Sequence, residues 1–148
     1  MNKEENRMGF TLTIKGEETI HFTKEITSIH VDINTPLDSR AKSSNASATM
    51  WVTGKLFAAE PEANGRTLKL FDWALVPAES EKSYRSVVAV IKTGGVDRKI
   101  QFPNAFVIDY NERHSDVVGA GEFRLILRQR ADKIDDVKAT PVDDTEYS

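Results

Sequence analysis

SYRSVVAVIKTGGVDRKIQF, residues 83–102, is the stretch whose reading decides the fold class. Tyr84 to Lys92 is β-branched and apolar, and Thr93-Gly94-Gly95 forms a tight turn. Beyond the turn, Val96, Arg98, Ile100 and Phe102 alternate with Asp97, Lys99 and Gln101. Successive side chains of a strand point to opposite faces, so a period of two around a glycine turn predicts a β-hairpin. Pro103-Asn104 is expected to break the second strand. Ala105 to Tyr110 resumes with Phe106, Ile108 and Tyr110 in phase, and Glu122 to Arg130 closes the series. In that last strand Phe123, Leu125 and Leu127 face one way, and Arg124, Ile126, Arg128 and Arg130 face the other.

The same period governs the N-terminal half. Phe10, Leu12 and Ile14 alternate with Thr11 and Thr13, Lys15 to Glu18 makes a turn, and Thr19 to Phe22 returns as a second strand. Ile29, Val31 and Ile33 form a third strand. Ile26 is out of phase with them, which places a bend or bulge near Thr27-Ser28. Residues 34–47, NTPLDSRAKSSNAS, carry no apolar period and form a long polar loop of the kind that is usually functional. Ala46 to Phe57 is a long strand with Met50, Val52 and Leu56 on one face. Thr49, Trp51, Thr53 and Phe57 occupy the other, so part of its outer surface needs cover. One segment has helical spacing: Asn64-Gly65 can cap it, Leu68, Phe71 and Leu75 recur on one stripe beside Trp73 and Ala74, and Pro77 ends it. These elements predict a mainly β chain, an antiparallel β-barrel or sandwich with one short helix at its side.

The chain has 148 residues, one domain's worth, with 39% hydrophobic and 29% charged residues, a soluble globular composition. It contains no cysteine, which excludes a disulfide framework, a thiolate nucleophile and a Cys-ligated metal, and fits a reducing cytoplasm. No apolar run reaches the ~18 residues of a membrane span. The net charge of −3 is unevenly placed. Residues 132–148 hold six acids against Lys133 and Lys138, a net −4 that leaves about +1 for residues 1–131. The expected organisation is a flexible N-terminus at 1–7, a β-barrel domain at 8–131 and an acidic, mobile tail at 132–148. An acidic whole argues against sequence-specific nucleic-acid binding.

No residue pattern reads as an active site. His21, His30 and His114 lie outside ligand motifs. His30 and Asp32 share a strand face, but a polar sheet surface explains them better than a metal pair. Asp109, Glu112 and His114 cluster near a turn and are equally well explained by a solvated loop. No serine occupies a nucleophile elbow, Gly94-Gly95 lacks a following Lys-Ser/Thr, and Gly119-Ala120-Gly121 precedes a strand rather than a helix. No enzyme activity, cofactor or metal is therefore assigned. Arg124, Arg128 and Arg130 form a basic stripe at strand spacing, either an anion-facing surface or an ordinary solvated face.

The order of pieces adds a resemblance. TLKLFDWAL after a long strand, the turn-centred SYRSVVAVIKTGGVDRKIQF, then NAFVIDYNERH and the terminal EFRLILRQRADKI resemble the haemolysin-coregulated protein (Hcp) of type VI secretion. They resemble equally the tail-tube proteins of contractile phages and phage-like injection systems. SIHVDINTPLDSRAKSSNAS, a strand entering a long polar loop, is similar to that family's loop reaching an adjacent ring. The resemblance spans residues 8–134 in element order and implies a structural subunit of an inner tube. It implies homo-hexameric rings that stack head to tail, with sheath and baseplate proteins as partners and effector cargo in the lumen. Such a chain would be made and assembled in the cytoplasm and end in a particle or an injected tube. The resemblance also implies a ring-stacking role for Leu37, Asp38, Ser39, Arg40 and Lys42. Arg124, Arg128 and Arg130 become candidates to face the lumen. A monomeric or dimeric barrel binding a small ligand is the alternative reading.

Overall fold

A computed structural model of the protein describes residues 9–35, 46–57, 59–116 and 121–142. The strands are β1 (Gly9–Lys15), β2 (Thr19–Phe22), β3 (Ile26–Asn34), β4 (Ser47–Leu56), β5 (Arg85–Thr93), β6 (Val96–His114), β7 (Gly121–Gln129) and β8 (Lys138–Thr140). One helix, α1 (Pro61–Ala74), follows β4, and 3-10 turns cover Glu81–Ser83 and Ala131–Asp136. All pairings are antiparallel, in the order β2-β1-β5-β6-β7-β4-β3, with β8 on β6.

That order forces the sheet to curl. Laid flat, seven strands at ~4.8 Å spacing would put β2 and β3 roughly 29 Å apart. Only Thr23, Lys24 and Glu25 join them, and such a link spans at most about 14 Å. The two ends of the sheet therefore meet, and β1 packs against β3. The result is an antiparallel barrel with a helix at its side. Leu12, Ile14, Phe22, Met50, Phe102, Phe123, Leu125 and Leu127 fill it, all buried, and Leu70 and Trp73 of α1 complete the core.

Most strands follow the period of two. β1 and β2 form the expected hairpin, and the β3–β4 register shifts between Ile26 and Ser28, at the anticipated bulge. Gly94 and Gly95 both have positive φ, +41° and +90°, which a two-residue primed hairpin turn requires.

Three local expectations are corrected. Pro103-Asn104 does not break a strand: β6 runs unbroken from Val96 to His114. Its first half pairs β5 and its second half pairs β7, so Pro103 sits where the strand bends from one partner to the other. A register shift opposite, between Arg85 and Val87, absorbs the missing donor. The buried side chain of Gln129 holds the corner, accepting from Asn104 N at 2.9 Å and donating to Lys133 O at 2.8 Å.

The helix starts at Pro61, with Glu60 as N-cap, rather than at Asn64-Gly65. Proline suits the first helical position because its missing N–H has no helical partner there. Its buried face is also not the anticipated one. Ala63, Thr67, Leu70 and Trp73 face the barrel, while Leu68, Phe71 and Leu75 are exposed. Two ion pairs fix this rotation, Arg66–Glu25 at 2.6 Å and Lys69–Glu18 at 3.0 Å, together with the Trp73 indole N–H donating to Ser83 O at 2.9 Å.

The stretch from Asp132, expected to extend freely, begins as the second 3-10 turn and continues into β8 on β6, with Ile134 and Val137 packed against the core. Residues 1–7 and 143–148 lie outside the described residues.

Candidate assembly surfaces

Because the barrel interior is filled, the chemistry this chain offers lies on its outward positions. The register sorts these into two sheet faces and one helix face.

The first sheet face spans β3, β4, β7 and the second half of β6. One cross-strand row is His30, Trp51, Ile126 and Asp109, and the next is Asp32, Thr49, Arg128 and Phe106. Arg124 stands in the row of Thr53 and Asn111. Arg128 donates through Nε to Thr49 Oγ1 at 3.3 Å, which lays its stem over that threonine. Arg124 and Arg128 are both exposed here, as the strand period predicted. Arg130 differs. It follows the end of β7, its Nε pairs with Asp132 at 2.7 Å, and its guanidinium stacks over the Tyr84 ring at 5.1 Å. The stripe is thus two arginines on a shared face and a third held at a corner.

The second sheet face spans β2, β1, β5, the first half of β6 and β8. One row is His21, Thr13, Val88, Gln101 and Lys138, and its neighbour is Thr11, Val90, Lys99 and Thr140. Lys15 and Lys92 stand further along the same face. Lys15, Lys92, Lys99 and Lys138 come from four different strands, so no sequence window gathers them. The signal existed only as one out-of-phase lysine per strand.

The residues weighed as catalytic are not assembled. Asp109 pairs in register with outward Ile126, whereas Glu112 pairs with buried Phe123, so they stand on opposite faces. Their three-residue spacing puts them on opposite faces, and the bulge between Val107 and Asp109 sets which face each takes. Glu112 instead accepts from the Tyr110 hydroxyl at 2.6 Å and pairs with His114 Nε2 at 3.0 Å. Burial, then the hydrogen bond and charge of Glu112, push the Tyr110 hydroxyl far above the usual tyrosine range. His21 pairs with Thr13 Oγ1 at 2.8 Å, and His30 meets the Trp51 ring edge-on. Among the described residues no group of three or more His, Asp or Glu is placed to hold a metal. Arg85 lies over the Trp73 ring at 5.1 Å. Its pKa is lowered by burial against the opposing pull of Glu18, Glu17 and Asp72. The clefts beside Arg85, beside Lys24 and Arg66, and around Asp97 and Pro141 are open surface features. Leu37, Asp38, Ser39, Arg40 and Lys42 lie outside the described residues.

No family model matches the chain, and no curated protein matches it by sequence. Solved structures do. A chain of the anti-feeding prophage (AFP) baseplate, 6-fold symmetrised, matches with TM-score 0.54 at 13% identity, covering 96% of this chain and 99% of that one. Hcp1 from E. coli EAEC 042 matches with TM-score 0.53 at 11% identity, covering 90% and 99%. A chain of the PVC sheath–tube complex, an extracellular contractile injection system in its extended state, matches with TM-score 0.51 at 15% identity, covering 92% and 93%. The fold is Hcp-like. The coverage runs nearly end to end on both sides, so the Hcp-like fold accounts for the helix and both halves of the sheet together. At 11–15% identity the likeness is one of fold.

Proposed function

We propose that the chain is a structural, non-enzymatic subunit of the inner tube of a contractile injection system or phage-like tail. Its rings are homo-hexameric and stack head to tail, with sheath and baseplate proteins as partners and effector cargo passing through the lumen. The single observation that carries this is the near full-length Hcp-like fold, matched by chains of the AFP baseplate and of the PVC sheath–tube complex and by an Hcp. In this reading Leu37, Asp38, Ser39, Arg40 and Lys42 reach the next ring, and Arg124 and Arg128 face the lumen with Arg130 at its margin. Assembly takes place in the cytoplasm, and the tube then becomes part of a particle or is injected. A ligand held inside the barrel is disfavoured, because Phe22, Met50, Trp73, Phe102 and Phe123 occupy that space.

The test is light scattering of the purified protein on a sizing column, with negative-stain images of the same fractions. Rings or hollow tubes are expected. A monomer at every concentration, with a melting temperature that rises on adding a small ligand, would favour the binding barrel instead.

A further inference from the structure

The outward face of α1 carries Leu68, Phe71 and Leu75, which are 52%, 45% and 69% exposed. A helix on a soluble barrel ordinarily turns polar residues outward. Here Arg66 and Lys69 are turned to the barrel and paired with Glu25 and Glu18. The exposed charged group beside the stripe is Asp72, an acid. The stripe presents roughly 300 Å² of apolar surface, the lower end of the largest patch that a soluble monomer carries, which is often functional. That is over a third of the ~800 Å² a partner contributes to a stable interface, the size of an interface centre with a polar rim around it.

A surface of opposite sign lies on the same chain. The lysine-bearing sheet face has half-buried Val88 and Val90 at its middle and exposed Lys15 and Lys138 at its margins, with Asp97 opposite Lys92 at one end. It lies on the far side of the sheet from the core, whereas α1 packs on the core side, so one molecule cannot join the two. Two molecules can. We infer that the Leu68–Phe71–Leu75 stripe of one copy docks on the Val88–Val90 face of the next, with Asp72 meeting the lysine rim. The contact joins two different surfaces, so it propagates from copy to copy and closes where the rotation per contact allows. It rests on the tube reading above and goes beyond it by naming which two surfaces meet.

The absence of cysteine makes the test direct. A double variant, Leu75→Cys with Val90→Cys, is oxidised mildly and run on a non-reducing gel. A ladder of covalent multimers is expected, reversed by reductant and absent from either single variant. Rings or tubes in the same sample without a ladder would overturn the inference and leave the tube reading standing, as would dimers from Leu75→Cys alone. A chain that stays monomeric at every concentration would overturn the tube reading and this contact with it. In a second measurement, Leu68→Glu should raise the concentration of half-assembly at least about tenfold with little change in melting temperature. Unchanged assembly of that variant would also overturn the contact.

Discussion

Glu25 ties the helix to the sheet, and the pair it makes with Arg66 should respond asymmetrically to mutation. Its side chain is 0% exposed, accepts from Thr23 N at 3.1 Å and from Arg66 Nε at 2.6 Å, and its carbonyl accepts from Lys55 N at 2.8 Å. The Arg66 side chain is 29% exposed. Arg66→Met keeps the stem but leaves a buried carboxylate with only the Thr23 amide, a loss of about 3–5 kcal/mol. Glu25→Gln keeps the shape and the Thr23 bond, and it leaves the cation on the side chain that already reaches water, so about 1–3 kcal/mol is lost. For a chain of this size each kcal/mol moves Tm by about 2–4 °C. Arg66→Met should therefore lower Tm by roughly 6–20 °C, and Glu25→Gln by distinctly less. Urea unfolding followed by circular dichroism checks the order, with an unchanged m-value showing that the unfolded states are comparable. The double variant should be less destabilised than the sum of the singles, since removing both partners leaves no stranded charge. An Arg66→Met variant within 1 kcal/mol of the parent, or milder than Glu25→Gln, would refute the reasoning.

Gly54 is the second sensitive point. A Cβ there would lie 2.3 Å from Glu25 O and 2.4 Å from Phe123 Cε1, so Gly54→Ala should cost about 1–3 kcal/mol by calorimetry, and an unchanged Tm would contradict that close approach. Tyr110 gives a pH dependence. Its folded pKa is raised, so its contribution is fully present below the ordinary tyrosine value near 10 and is lost as pH rises beyond it. Tyr110→Phe should flatten the alkaline fall in stability, and identical profiles for the two proteins would count against the buried hydroxyl. Replacing Leu37 and Arg40 with Gly and Glu should leave the melting temperature unchanged and stop rings from stacking into tubes. Unaltered tube length in negative stain would remove that loop from the contact.

What could be read in the sequence was whatever the backbone dictates locally. Alternation in Phe10 to Ile14, the glycine turn at 94–95 and the phase slip after Ile26 each declare themselves within a few residues. What could not be read depends on partners distant in the chain. Pro103 looks like a strand end until Gln129, 26 residues on, supplies the side-chain oxygen that receives Asn104 N. The helix carries two apolar stripes, Leu68–Phe71–Leu75 and Ala63–Leu70–Trp73, and periodicity alone cannot choose between them. The choice is made by distant partners: buried Glu25, in a turn of the N-terminal sheet, pairs with Arg66, and Ser83 O receives the Trp73 indole N–H. Asp109 and Glu112 look adjacent, yet their three-residue spacing on a continuous strand makes them face opposite ways, and the bulge before Asp109 decides which of them faces out.

The same division explains why this chain carries a recognisable fold and no recognisable motif. A catalytic site needs particular groups at fixed short range, and such groups leave local traces. An assembly surface needs only a sign of charge and an apolar centre, and each can be drawn from any outward position on several strands. Lys15, Lys92, Lys99 and Lys138 sit on four strands and Val88 and Val90 on one of them, while Asp72, the acid proposed to meet them, stands on the helix. None of these positions is required by the core, so they can vary while Leu12, Phe22, Phe102 and Leu125 hold the barrel. In the tube reading proposed above, the constraint on such a chain lies in how two surfaces match each other. Compensating changes across such a contact preserve the match without preserving either residue. Swapping charges across it is therefore the informative perturbation: Asp72→Lys should weaken assembly, and adding Lys15→Glu and Lys138→Glu should restore it if those residues meet. Failure to restore, in a variant whose melting temperature is unchanged, would show that the helix stripe meets some other surface.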